Sequence, residues 1–97
     1  MEVKAALSQH GAKHSLLHVA EKGMRELVAD LIKEGADVNG KNHRGWTSLR
    51  TASFYGHAAV VQTLWEHGAD VAARDKAGKT SLERANNEEV KAVLAKL

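Results

Sequence analysis

A period of 33 residues runs through this chain and restricts its fold more than any other feature. Set without gaps against residues 47–79, residues 14–46 match at Ser15 and Ser48, Leu16 and Leu49, Gly23 and Gly56, Val28 and Val61, and Leu31 and Leu64. The run Gly35-Ala36-Asp37-Val38 falls on Gly68-Ala69-Asp70-Val71, and Gly45 on Gly78. Ten of the 33 positions are identical, where roughly two would follow from composition alone. A third copy opens with Thr80-Ser81-Leu82, repeating Thr47-Ser48-Leu49, and stays in phase through Ala85, Val93 and Leu97.

The punctuation of each copy predicts its local structure. Ser48 is expected as the N-cap or first-turn residue of a short helix through about Tyr55, which Gly56 ends by supplying a positive φ. A second helix is expected from about Ala58, with Val60, Val61, Leu64 and Trp65 as one buried stripe at helical spacing. Leu27, Val28, Leu31 and Ile32 form the matching stripe of the first copy, and Val90, Val93, Leu94 and Leu97 that of the third. After Gly68, residues 69–79 hold polar turn formers and Gly78, which predicts an extended arm with a tight turn. One helix–turn–helix–loop unit cannot bury its stripe alone, so neighbours must stack, and three copies are about the minimum. The 97 residues divide into an N-terminal extension (1–13), two repeats (14–46 and 47–79) and a C-terminal capping half-repeat (80–97) in a single domain. In the extension, Val3, Leu7 and Gly11 suit either a helix ending at the glycine or a frayed tail. Glu83, Arg84, Asn86, Asn87, Glu88 and Glu89 are expected on the third short helix, where they give the cap a polar outer face.

Composition narrows the function classes. With 43% hydrophobic and 27% charged residues the chain should fold, yet its size argues against a deep catalytic cavity. Fourteen Lys and Arg against twelve Asp and Glu leave +2 with no basic run, so nucleic acid is not an expected partner. The absence of Cys excludes disulfides, thiolate catalysis and Cys-type zinc sites. No apolar run nears the length of about 18 that a membrane span needs, and the first ten residues lack a signal-peptide core; an intracellular location without membrane attachment is expected. Neither a nucleophile elbow, a phosphate-cradling glycine loop nor a paired-carboxylate motif is present. Asp37 and Asp70 recur with the period and read as turn chemistry. The expectation is a non-enzyme without a cofactor.

The middle copy runs Gly45-Trp46-Thr47-Ser48-Leu49-Arg50, Ala52-Ser53, Gly56-His57, Val60-Val61, Leu64-Trp65 and Gly68-Ala69-Asp70-Val71-Ala72. The first closes with Gly35-Ala36-Asp37-Val38-Asn39. These motifs, over about residues 14–97, resemble ankyrin repeats, which implies an all-α solenoid of stacked helix–turn–helix units with projecting β-hairpin-like loops. Two departures stand out. Serine replaces the family's proline at Ser15, Ser48 and Ser81, where a hydroxyl could restore a cap. Arg50 stands where the family's histidine usually ties loop to helix, with Leu17 and Glu83 at the equivalent sites, which leaves the rigidity of the loop open. His57 matches the family's structural histidine.

The resemblance implies a protein-interaction module that binds through loop tips and the exposed side of the first helices. Carried over position by position, that surface is His43, Arg44, Trp46, Phe54, Tyr55 and His67, extended by Lys76 and Lys79 at the next tip. Three of the four aromatics fall in this set. Phe54 and Tyr55 are neighbours, so a helix cannot point both fully inward and at least one should be exposed. Aromatics beside an arginine match the composition of interface hot spots. Were His67 on this face, binding would respond to mild acid. The expected partner is a protein or peptide, and the expected state a monomer. The alternative is a structural or self-associating mini-repeat scaffold, which concentration-dependent mass would reveal. A third reading, nucleic-acid binding through Lys41, Arg44, Arg74, Lys76 and Lys79, predicts steep salt dependence. His10, His14 and His18 have metal-like spacing on an unbroken helix, but Gly11 and the helix start near Ser15 interrupt it, and no metal site is expected.

Overall fold

A computed structural model describes residues 16–97. The N-terminal extension with His10, and His14 and Ser15 of the first repeat, lie outside these residues. Six helices follow in three pairs: α1 (Leu16–Lys22) with α2 (Arg25–Lys33), α3 (Ser48–Phe54) with α4 (Ala58–Glu66), and α5 (Ser81–Arg84) with α6 (Glu88–Lys96). The first helices stack in the order α1, α3, α5 as one layer, and the second helices in the order α2, α4, α6 as the other. This is the all-α arrangement expected from the period. The loops between pairs turn tightly, and among the described residues their only strand-like pairing is a bridge between Arg74 and Thr80.

The core lies between the layers. Leu16, Val19, Ala20, Val28, Leu31, Leu49, Ala52, Val60, Val61, Leu64, Val90 and Leu94 are buried there, so the stripes of all three copies meet in one continuous interior. The turns within the first two pairs require glycine, Gly23 and Gly56, at positive φ. Gly23 has φ +73°, and a Cβ on it would lie 2.7 Å from His57 Nδ1. That close approach lets His57 Nε2 donate to the Glu21 carbonyl at 2.8 Å, tying the second pair to the first. Asn39 makes a further tie: its side chain accepts from Asp70 N at 2.7 Å and donates to the Gly68 carbonyl at 3.2 Å.

The inner helix α3 is polar yet almost wholly buried, because small side chains let α1 and α5 approach it closely. Its hydroxyls satisfy themselves on the preceding turn, Thr51 Oγ1 donating to the Thr47 carbonyl and Ser53 Oγ to that of Leu49. The cap is Thr47, and Ser48 takes the first-turn position, the other of the two places expected for it. Thr47 Oγ1 accepts from Arg50 N at 3.1 Å, and Thr80 accepts from Glu83 N in a full capping box. Ser48 is left with a fully buried hydroxyl that has no partner, a cost that proline would remove. Thr47, at φ −90° and ψ 168°, already has the extended backbone a following proline requires. Ser48→Pro should therefore raise stability by about 0.5–1 kcal/mol, read as a higher urea midpoint; a lower midpoint would contradict this account of the cap.

Three expectations need correction. Trp65 is 42% exposed, not core: it sits 100° round the helix from Leu64, at the margin of the stripe. The third short helix stops at Arg84. Asn87 instead caps α6 by accepting from Val90 N at 2.8 Å, with Glu88 and Glu89 in the first turn of α6, where the helix dipole favours acids. The outer face of the last pair is not uniformly polar either. Leu82, equivalent to the buried Leu49, is 46% exposed, because the stack does not extend over it beyond α5.

Candidate functional site

Two loops with one hydrogen-bonding scheme build the candidate surface. In the first, Asn42 Oδ1 accepts from Arg44 N and Trp46 N, and Gly45 N donates to the Asn42 carbonyl. In the second, 33 residues on, Asp75 Oδ1 accepts from Ala77 N and Lys79 N, and Gly78 N donates to the Asp75 carbonyl. Each side chain thus closes its own turn. The turns touch: Lys76 Nζ donates to the His43 carbonyl at 2.6 Å, and a Cβ on Gly45 would lie 2.8 Å from Lys76 Cγ. Asp37 and Asp70 hold smaller turns of the same kind, accepting from Asn39 N and Ala72 N.

Trp46 leads from the first loop into α3, and Phe54 and Tyr55 stand at that helix's end. Both of the latter are exposed, at 42% and 44%, with their rings edge to face at 5.2 Å. Arg50 joins the two groups. Its guanidinium carbon lies 3.7 Å from the Trp46 ring centre and 5.4 Å from that of Phe54, while Arg44 approaches Trp46 at 5.2 Å. A groove of about 380 Å³ runs beside them, lined by residues of α1, the first loop and α3, among them His18, His43, Arg44, Trp46 and Tyr55.

Beneath the aromatics lies an ionic triad. Asp75 Oδ2 accepts from Arg84 Nε at 2.8 Å and from Arg50 Nε at 3.4 Å, with the carboxylate almost fully buried. Those bonds, Arg84's foremost and then the backbone donor at Lys79, hold the Asp75 carboxyl well below the usual carboxylate range. Burial pulls the Arg50 guanidinium below its ordinary value, and the bond to Asp75 works against that shift. Two cations share one anion here, and Arg50 Nη1 is buried without a partner. Arg50 therefore does tie helix to loop, by a charged bond to the second turn in place of the family's histidine.

The structure brings His43, Arg44, Trp46, Phe54, Tyr55 and Lys76 together, with Lys79 exposed on the same turn as Lys76. It does not bring His67. That ring lies at the end of α4, donates Nδ1–H to the Thr63 carbonyl at 2.8 Å, and lines a hollow with residues of α2 and α4. The pH response expected through His67 loses its premise. Sequence reasoning also missed Asp75 and Arg84, although one signal was present. Between the first two copies Leu17 becomes Arg50 and Asn42 becomes Asp75, so a cation and an anion arrive together at the same spacing of 25 residues. A larger hollow of about 640 Å³ opens at the turn between α1 and α2, lined by Met24, Arg25, Glu26 and Asp30 without an aromatic. Among the described residues no group of three or more metal-ligating side chains is assembled, and no helix is long and apolar enough to cross a membrane.

A family model described as ankyrin repeats, three copies, matches residues 16–96. The chain is similar to the E3 ubiquitin-protein ligase XBAT33 of Arabidopsis thaliana, 49% identical over 61 residues, which cover 62% of this chain and 12% of that protein. The human mitochondrial disaggregase is 43% identical over 50 residues, 52% of this chain and 7% of that one. The Notch-regulated ankyrin repeat-containing protein A of Danio rerio is 46% identical over 39 residues, 40% and 35% of the respective lengths. The chain thus spans about an eighth of the plant ligase's length and about a third of the fish protein's.

Proposed function

The chain belongs to the ankyrin repeat family, a non-catalytic fold that generally mediates protein–protein interaction, and from that premise we propose that it binds an extended protein segment along the groove beside Trp46 and Tyr55. The observation that carries this reading is the exposure of Phe54 and Tyr55 next to a Trp46 held in place by Arg50. Aromatic rings fixed before binding lose little entropy when a partner covers them, which is what makes them effective anchors.

The experiment is a selection of random dodecapeptides displayed on phage against the intact chain, followed by affinity measurement with the Trp46→Ala/Tyr55→Ala variant. Loss of two anchors, each worth about 2 kcal/mol or less, should weaken the selected peptides about 100-fold while the helical circular dichroism stays unchanged. Peptides that bind both proteins equally would place the binding surface elsewhere.

A further inference from the structure

The two loop tips are strongly charged, and the chain as a whole is not. Lys41 and Arg44 project from the first tip, and Arg74, Lys76 and Lys79 from the second, all exposed. Within the tips themselves, residues 41–46 and 74–79, the single acid is Asp75, which is buried, with both oxygens engaged in its own turn and in the bonds to Arg50 and Arg84, while the exposed Asp37 and Asp70 lie in the smaller turns of the same loops. Asp75 offers nothing to offset the tips, and the acid that does face the second tip is the exposed Glu83 at the start of α5, whose charge meets Lys79 and Arg74 and leaves Lys41, Arg44 and Lys76 unopposed by it. Since the complete chain has a formal charge of only +2, everything outside the two tips is net acidic. The bond from Lys76 to the His43 carbonyl joins the tips into one basic edge. The triad behind them adds to the same sign, because Arg50 and Arg84 share one carboxylate. Within the groove itself Glu21 is the one acidic side chain.

Resting on the binding face argued above, we propose that the partner segment is acidic: Asp and Glu side chains meet the basic edge while one apolar or aromatic residue between them enters the groove beside Trp46 and Tyr55. Opposite charge across such a contact speeds encounter and excludes wrong partners. A single-stranded nucleic acid would also meet basic side chains, but it would need open ring faces on which bases stack. Here the rings form no such row of parallel open faces. Arg50 covers Trp46 at 3.7 Å, and Phe54 and Tyr55 stand at 89° to each other, one ring's edge against the other's face. The aromatics suit side-chain packing rather than base stacking.

The same dodecapeptide selection tests this. Selected sequences should be rich in Asp and Glu and poor in Lys and Arg, and replacing their acids by the matching amides should weaken binding at least tenfold. The Lys41→Glu/Lys79→Glu variant, checked for an unchanged thermal melt, should lose at least tenfold for the same peptides, with affinity falling as salt rises. Neutral or basic peptides that still require Trp46 and Tyr55 would overturn the acidic preference and leave the binding face standing. Peptides indifferent to those two residues would remove the face and this inference with it. A twelve-residue oligothymidine that binds more tightly than the peptides would overturn the proposal in favour of nucleic acid.

Discussion

Removal of residues 90–97 is expected to leave a chain that no longer melts cooperatively. Those residues include Val90 and Leu94, both buried, and Val93 and Leu97, packed against the same core. Burying Val90 and Leu94 contributes about 1.5–3 kcal/mol each. A domain of this length holds only about 5–15 kcal/mol in total. The deletion also uncovers α4, whose Val61 and Leu64 are fully buried in the intact stack. In a nearest-neighbour array, losing an end element costs both its own packing and the face it covered. Circular dichroism on heating should show a shallow, non-cooperative decline, and a sharp transition in the truncated protein would contradict this account.

Substitutions at Asp75 should have the next largest effect, and they divide into two parts. Asp75→Asn retains an oxygen to close the turn, as Asn42 does in the first loop, but leaves Arg50 and Arg84 without their counter-charge. Asp75→Ala removes the turn acceptor as well. Breaking one side of a buried ion pair is strongly destabilising because the remaining charge stays desolvated. The expected order of melting temperature is wild type, then Asp75→Asn, then Asp75→Ala. The pH dependence has a definite sign. The folded-state pKa of Asp75 lies below its unfolded value, so its contribution is complete above about pH 5 and is lost progressively as pH falls through about 3.9 and below. Glu83, lowered chiefly by its bond from the Thr80 backbone, acts in the same direction. Acid should therefore destabilise wild type more steeply than Asp75→Asn. Equal slopes between about pH 5 and pH 2 would show that the triad does not set this response.

Much of the fold was legible because the period repeats the information. Gly23 and Gly56, the apolar stripes and the turn acids Asp37 and Asp70 each occur twice at a fixed offset, and their roles are local. What stayed hidden was tertiary. A stripe predicts which side of a helix faces inward but not how far burial spreads round it, so Trp65 was misplaced. Thr47 and Ser48 are adjacent hydroxyls, and only the backbone bond to Arg50 N shows which one caps. The adjacency of Phe54 and Tyr55 requires at least one of them outside, and both are. Asp75 looked like a turn former on local grounds, as it is, while its partner Arg50 lies 25 residues earlier and its partner Arg84 in the next copy. Carrying the family's binding surface over by position puts His67 on the binding face, yet α4 carries it to the other layer.

The most direct test of the binding face is a nitrogen-15 amide NMR titration of the intact chain with the tightest selected dodecapeptide. The expected shift changes fall on residues 41–46, 74–79 and the Phe54–Tyr55 end of α3, while α2 and the Trp65 side of α4 stay still. Changes concentrated instead around Met24, Arg25 and Glu26, or along α2 and α4, would contradict the assignment.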